Sequence, residues 1–288
     1  MFNKFKIHFL KTYWSDCVLL EYKGKYALVD TGSINDKEYI LNYLNDLNIK
    51  KLEFILITHF HCDHYGCLNY IINKLDVNSV YIKEYSALDN TRANGHLADD
   101  RYRKEELDKY NNLVNSCKNK KNYKSLDNTQ QICFDDVEIN LFNNKNVLQC
   151  IYEDKESKNF HEHRYNENFN SLSLYFEING IRVYLSGDLI DEEFEDYAAS
   201  FLNYNVCKNI NKKVDIYKAS HHGMNNGTCI KTLEIIKPKN IVVTNHKEDL
   251  INNTNISNYV RDNDTNIYYT YDTIIFEVDP KGKIKVVK

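Results

Sequence analysis

Six consecutive residues, His59-Phe60-His61-Cys62-Asp63-His64, hold the densest capacity for chemistry in the chain. Three imidazoles and a carboxylate follow directly on Phe54-Ile55-Leu56-Ile57, an apolar run with the composition of a buried strand. A strand end is rigid, and the turn that follows it can aim successive side chains at one point. Imidazole nitrogens suit zinc and related divalent ions, and a carboxylate completes a mixed nitrogen–oxygen ligand set. An ion held this way lowers the pKa of water to ~7 and so makes a nucleophile at neutral pH. Four ligand-type residues at this spacing, followed by Tyr65-Gly66 and a helical pattern, outweigh the plainer reading of a polar loop.

The elements that must position this run alternate along the chain. Residues 6–10, 17–22 and 25–29 read as strands, the last two joined as a hairpin across a turn containing Gly24. Asp30-Thr31-Gly32-Ser33 leads into a helical pattern with Ile40, Leu41, Leu44 and Leu47 on one face. Residues 54–57 form a strand, Leu68, Ile71, Ile72 and Leu75 mark the next helix, and 80–83 another strand. The polar segment 85–128 has helical character over 98–118 (Leu107, Tyr110, Leu113, Val114) and reads as a helical insertion, with a lid over the site as its expected role. Its basic tail, 118–124, reads as a solvated loop in preference to an anion contact. In the second half, 172–178 and 181–185 are joined by Asn179-Gly180, a strong hairpin signal. A helix over 191–202, a strand over 214–218 ending at Ser220-His221-His222-Gly223, a helix over 228–236, a strand over 241–244 and a closing β region over 267–287 complete the pattern. Two β-rich halves, each covered by helices, imply an α/β four-layer αββα sandwich, one domain over residues 1–288.

The histidine run resembles the His-x-His-x-Asp-His signature of the metallo-β-lactamase superfamily, matched in full by His59, His61, Asp63 and His64. The resemblance implies two divalent metal ions, zinc being the expected metal, with His59 and His61 on the first and Asp63 and His64 on the second. Asp30-Thr31-Gly32 is similar to the family's Asp-x-Gly turn, which implies that Asp30 orients a ligand histidine. Ser186-Gly187-Asp188 is similar to its Gly-Asp element, which implies that Asp188 bridges both ions. His221-His222-Gly223 supplies the last expected histidine: one of the pair ligates the second ion and the other contacts substrate phosphate, in either assignment. Asp63 and His221 are the expected catalytic groups. The position of the family's remaining histidine is occupied by Glu167, so the first ion is completed by Glu167, by water or by a loop histidine such as His161 or His163.

Three further motifs, Asn168-Phe169-Asn170-Ser171-Leu172-Ser173, Ser186-Gly187-Asp188-Leu189 and Lys218-Ala219-Ser220-His221-His222-Gly223, narrow the resemblance. They are similar to the hydrolase domain of the bacterial competence DNA-uptake channel protein and to phosphorylcholine esterases. The resemblance implies phosphodiester hydrolysis, on a nucleic acid or a small phosphoester. Hydrolysis of a carbonyl ester, lactone or thioester on the same ions is the alternative enzyme reading, and a low-turnover metal-binding interaction module is the alternative from a different class. His246 is a weaker candidate for the pocket rim, a plain loop histidine being the competing reading.

Composition bounds these readings. The formal net charge of -4 argues against a dedicated nucleic-acid binder, although it leaves room for a local basic groove. No stretch approaches the ~18 consecutive apolar residues of a membrane span, and the N-terminal residues show no signal-peptide pattern, so a cytoplasmic protein with no membrane partner is expected. The 8 cysteines form no Cys-x-x-Cys pair, which suits buried thiols in a reducing compartment better than a disulfide framework.

Overall fold

Strand order follows from where the chain can turn back sharply and where it needs a helix to cross over. The computed structural model describes residues 4–85, 100–145, 167–191, 201–250 and 254–287. In the first half, β1 (Phe5–Phe9), β2 (Val18–Tyr22) and β3 (Lys25–Val29) are antiparallel neighbours. Lys23 and Gly24, both at positive φ, make the tight turn between the last two. Helix α1 (Lys37–Asp46) then carries the chain past the short β4 (Lys51–Leu52) to β5 (Phe54–Ile57), which lies parallel to β3. Helices α2 (Cys62–Tyr65) and α3 (Leu68–Lys74) lead by way of β6 (Asp76–Val77) to β7 (Val80–Ile82), parallel to β5. Helix α4 (Asp100–Asn119) leads to β8 (Tyr123–Ser125), parallel to β7.

The second half repeats this plan. Strands β9 (Gln131–Phe134), β10 (Val137–Phe142), β11 (Ser173–Ile178) and β12 (Ile181–Leu185) form an antiparallel run. Helix α5 (Leu202–Ile210), β13 (Ile216–Lys218), α6 (Ile230–Ile236), β14 (Asn240–Val243), α7 (Thr254–Asp262) and β15 (Asn266–Tyr269) extend it as a parallel run. Strands β16 (Ile274–Val278) and β17 (Ile284–Val287) return to the first sheet, where β16 pairs with β1. The result is an eight-stranded sheet, β17-β16-β1-β2-β3-β5-β7-β8, and a seven-stranded sheet, β15-β14-β13-β12-β11-β10-β9.

Three cores hold four layers together. Phe5, Phe9, Phe54, Phe134, Phe176 and Phe276 belong to the central cluster, drawn from the inner faces of both sheets. A second cluster joins the outer face of the first sheet to α1, α3 and α4, and a third joins the second sheet to α5, α6 and α7. The expected α/β αββα sandwich of the metallo-β-lactamase type is what forms. Among the described residues, no helix is long and apolar enough to cross a membrane.

The structure also departs from the sequence reading in several places. The hairpin of β9 and β10 was not expected, although Ile132, Phe134, Val137, Ile139 and Leu141 alternate as a one-sided strand pair should. Its turn is Asp135-Asp136, with Asp135 at positive φ, instead of a glycine-bearing pair. The basic tail 118–124 is not a free loop throughout: Tyr123 and Lys124 enter the edge strand β8, and the Lys118 ammonium lies over the Tyr123 ring. Helix α4 buries Tyr110, Leu113, Val114 and Cys117 in the outer core beside α3. The expected helix over 191–202 falls largely on residues outside the described set, and the described helix begins where that expectation ends, at Leu202.

Candidate metal centre

The parallel strands β3, β5, β12 and β13 all deliver their C-terminal ends to one edge of the sandwich, as open α/β sheets do for their ligands. After β3, Asp30 takes a left-handed conformation, its N–H donating to the Leu56 carbonyl at 2.7 Å. Its carboxylate accepts from the Thr58 N–H at 2.8 Å, from the Thr58 hydroxyl at 2.8 Å and from His64 Nδ1 at 2.8 Å. The Thr31 N–H and hydroxyl both donate to the His64 carbonyl, at 2.7 and 2.9 Å. With Nδ1 tied to Asp30, His64 presents Nε2 on the other side, 3.1 Å from Asp188 Oδ2 and 3.8 Å from Asp63 Oδ2.

The second half supplies the opposite wall. Gly187 adopts positive φ, and a Cβ there would lie 2.3 Å from Ser171 Oγ and 2.6 Å from the Leu172 carbonyl oxygen. That close approach lets the Asp188 N–H donate to Ser171 Oγ at 2.9 Å, which fixes the start of the Asp188 side chain. Beyond β13, Ser220 is anchored to the Leu189 carbonyl at 2.7 Å, and His221 and His222 both take left-handed conformations. His222 Nε2 lies 3.1 Å from Asp63 Oδ2 and 3.2 Å from Asp188 Oδ2, while its Nδ1 faces Asp16 Oδ1 at 3.1 Å and Thr244 Oγ1 at 3.0 Å. His221 turns elsewhere: Nδ1 contacts Asn226 Oδ1 at 2.8 Å and Nε2 contacts Asn168 Nδ2 at 3.3 Å.

Four donor atoms therefore converge: His64 Nε2, His222 Nε2, Asp63 Oδ2 and Asp188 Oδ2, in contacts of 3.1 to 3.8 Å. Donors about 2.0–2.2 Å from a tetrahedral zinc ion stand roughly 3.3–3.6 Å from one another, which is this spacing. His64 Nε2 is buried and makes no well-directed hydrogen bond within the protein. The residues fit a divalent cation. Beside them His59 Nε2 and His61 Nδ1 face each other at 3.0 Å, and the His59 ring centroid is 4.1 Å from that of His64. Glu167 is fully buried in the 3-10 turn Glu167–Asn170, where its Oε1 accepts from Asn170 Nδ2 at 2.7 Å. His161 and His163 lie outside the described residues.

Charge makes the same demand. Asp16, Asp30, Asp63 and Asp188 crowd this edge, and the Lys218 side chain is buried among them. Its ammonium is paired with Asp16, lies 3.3 Å from Asp188 Oδ1 and donates to the Gly187 carbonyl at 2.9 Å. Burial opposes charge on His64 and His222, yet Asp188 together with Asp30 and Asp63, or with Asp16, pushes both imidazoles well above their ordinary range. Burial likewise opposes ionisation of Asp188, but His222, His64 and Lys218 hold it well below the usual carboxylate range. His59, desolvated and beside His64 and His61, is pushed well below its ordinary value. A bound cation would add positive charge of the kind these carboxylates already draw from the imidazoles and Lys218.

The structure thus brings His59, His61, Asp63, His64, Asp188 and His222 to one edge and sets the His221 ring 6.1 Å from that of His222. His246 packs between Tyr13 and Tyr271 rather than among the donors, with ring centroids 4.6 and 4.5 Å away. Asp16 and Lys218 were missed by sequence reasoning, and both are buried here. Lys218 carried a signal, because it closes the strand Ile216–Lys218 and a lysine is almost never fully buried unless paired. Asp16, in the loop before β2, offered none beyond its residue type.

Residues 15–129 match the family described as "Metallo-beta-lactamase superfamily". Over 60 residues the chain is 33% identical to the endoribonuclease ysh1 of Aspergillus fumigatus, and over 71 residues 37% identical to the endoribonuclease YSH1 of Mycosarcoma maydis. Those stretches cover 20% and 24% of this chain but span only 7% and 8% of the fungal proteins. Among solved structures, the metallo-beta-lactamase fold protein YhfI from Bacillus subtilis superposes with a TM-score of 0.57 at 10% identity, covering 96% of this chain and 99% of that one. A metal-dependent hydrolase of the beta-lactamase superfamily superposes with a TM-score of 0.52 at 13% identity, covering 96% and 99% of the two chains. The CmlA beta-hydroxylase does so at 0.54 and 11% identity, covering 94% of this chain and 53% of its own.

Proposed function

We propose that this chain is a metal-dependent hydrolase of the metallo-β-lactamase superfamily, whose family model matches residues 15–129, and that it hydrolyses phosphodiesters. The observation that carries the reading is the convergence of His64, His222, Asp63 and Asp188 beside His59 and His61, with His221 and Asn168 at its flank. The choice of a phosphodiester is supported by the local likeness to proteins named endoribonucleases and by the three second-half motifs. Two divalent ions, zinc by the chemistry of this donor set, would be held by His59, His61, Asp63, His64, Asp188 and His222. Bound there, they lower the pKa of water to ~7 and polarise the phosphoryl oxygens.

The chain's own groups do the rest. Lys218 occupies Asp188 Oδ1 and so leaves Oδ2 turned toward His64 and His222. Asp30 and Asp16 hold Nδ1 of His64 and of His222, which presents Nε2 of each ring to the centre. Asp63 is the more solvent-accessible carboxylate of the set, at 29% exposure against 2% for Asp188, and with Oδ2 given to the ion its Oδ1 would take the proton of the attacking water. His221 and Asn168 orient a phosphoryl oxygen of the substrate. The seven cysteines among the described residues are free thiols, which suits a reducing setting.

Metal analysis joined to a panel of a phosphodiester, a phosphomonoester and a lactone tests the proposal. About two ions per chain and metal-dependent cleavage of the diester are expected. Preferential lactone cleavage, or full diesterase activity in His61→Ala or Asp63→Ala, would overturn it.

A further inference from the structure

A row of aromatic rings starts at the metal centre and is not used by the chemistry above. The Trp14 ring centroid lies 6.3 Å from that of His222, Tyr13 follows 6.4 Å from Trp14, His246 4.6 Å from Tyr13, and Tyr271 4.5 Å from His246. Three separate loops build it: that between β1 and β2, that after β14, and the turn between β15 and β16. They are tied together, the Thr270 hydroxyl donating to the Thr12 carbonyl at 3.0 Å and the Lys247 N–H to the Tyr271 hydroxyl at 2.8 Å. Trp14 is held at positive φ, a conformation a tryptophan rarely adopts. Tyr13 remains 49% exposed and Tyr271 38% exposed, although each already packs against His246.

We propose that this row is a stacking subsite for a nucleobase, so that the diester presented to the metal centre is that of a nucleotide or a single-stranded nucleic acid. The inference rests on the phosphodiesterase reading and narrows its substrate. Ring arrangement selects the occupant. A quaternary ammonium is gripped by aromatic faces that converge on one point. Here the rings contact one another in series, Trp14 edge-on to Tyr13 at 74°, Tyr13 tilted 46° to His246, and His246 stacked on Tyr271 at 27°, and a series that ends in a stacked pair is extended by another planar ring. The row begins one ring-to-ring step from His222, within reach of a base whose own phosphate sits among the donors. Stacking also provides affinity that does not depend on charge, in a chain whose formal net charge is -4.

Trp14 is the sole tryptophan, so its fluorescence reports this surface directly. The metal-loaded protein is titrated with a phosphorothioate dinucleotide, with the abasic dinucleotide of the same backbone, and with glycerophosphocholine. Saturable quenching by the base-bearing ligand alone is expected. Tyr13→Ala and Tyr271→Ala should weaken that binding by about 5- to 150-fold for each stack lost, and lower the kcat/KM ratio of base-bearing over base-less diester by a similar factor. Equal quenching by the abasic ligand, quenching by glycerophosphocholine instead, or a ratio unmoved in both variants would overturn the subsite. If the wild-type protein cleaves no diester and the base still quenches Trp14, the phosphodiesterase reading falls and the subsite stands. Diester cleavage with no quenching by base is the reverse.

Discussion

Lys218 is the residue whose charge the fold can least hold alone. Its ammonium is buried and neutralised by Asp16 and Asp188, with Asp30 adding to the attraction, and this raises its pKa against the opposing effect of burial. Removing one partner of such a buried set leaves uncompensated charge, at a cost of about 3–5 kcal/mol. Lys218→Met should therefore lose about that much stability when the protein is stripped of metal, and recover part of it when metal ions return positive charge to the carboxylates. Thermal unfolding with and without metal checks this, and an equal loss in both conditions would mean that Lys218 only fills space. The adjacent histidines should separate just as cleanly. His222→Ala is expected to lose bound metal, because Nε2 stands among the donors, whereas His221→Ala should keep its metal and lose about 10²–10³ in kcat as a phosphoryl-orienting group. Metal content measured beside turnover distinguishes them. The run 59–64 was legible at this scale because four ligand types crowd six positions. Asp16 was not, since its role depends on Lys218 and His222, residues 202 and 206 positions away that only the fold brings near.

Elements matter here through their ends. The strand over 54–57, the hairpin at Asn179-Gly180 and the helices over 37–46 and 68–74 were readable from period and turn chemistry, and so the strand-end placement of the site was readable too. The β9–β10 hairpin was overlooked because its turn is Asp135-Asp136, and the α7 helix because its apolar face is only Ile256, Tyr259 and Val260 within an Asn-rich stretch. At the end of β12 the backbone itself sets the site. Gly187 is left-handed and packed against Ser171 and Leu172, so Gly187→Ala incurs about 1–2 kcal/mol for the conformation alone and further strain from the contacts. The Asp188 N–H should then leave Ser171, and metal content should fall with stability. Calorimetry with metal analysis tests the coupling; a destabilised variant that binds metal fully would show that Asp188 is positioned by something other than this turn.

The whole molecule is a sandwich whose two sheets meet at both ends by different means. At the end away from the site, Lys23 and Lys25 in the β2–β3 hairpin pair with Asp135 and Asp136 in the β9–β10 turn, at 2.7 to 2.9 Å. Those pairs are exposed, and exposed ion pairs stabilise little. At the other end the proposed donors come from both halves, His59, His61, Asp63 and His64 from the first and Asp188 and His222 from the second, so an ion bound there would tie one sheet to the other. An ion present at about 1,000 times its Kd adds about 4 kcal/mol to the stability of the state that binds it. Chelation should lower Tm accordingly, by roughly 2 °C for each kcal/mol in a chain of this size. Because the tie is local, the loss should be local before it is global. Amides at the C-terminal ends of β5 and β13 should gain exchange on metal removal, while those beside the Lys23–Asp135 pair change little. A uniform gain across both ends would mean that the ion stabilises the chain without joining its halves, and that the central phenylalanine cluster alone holds the sheets together.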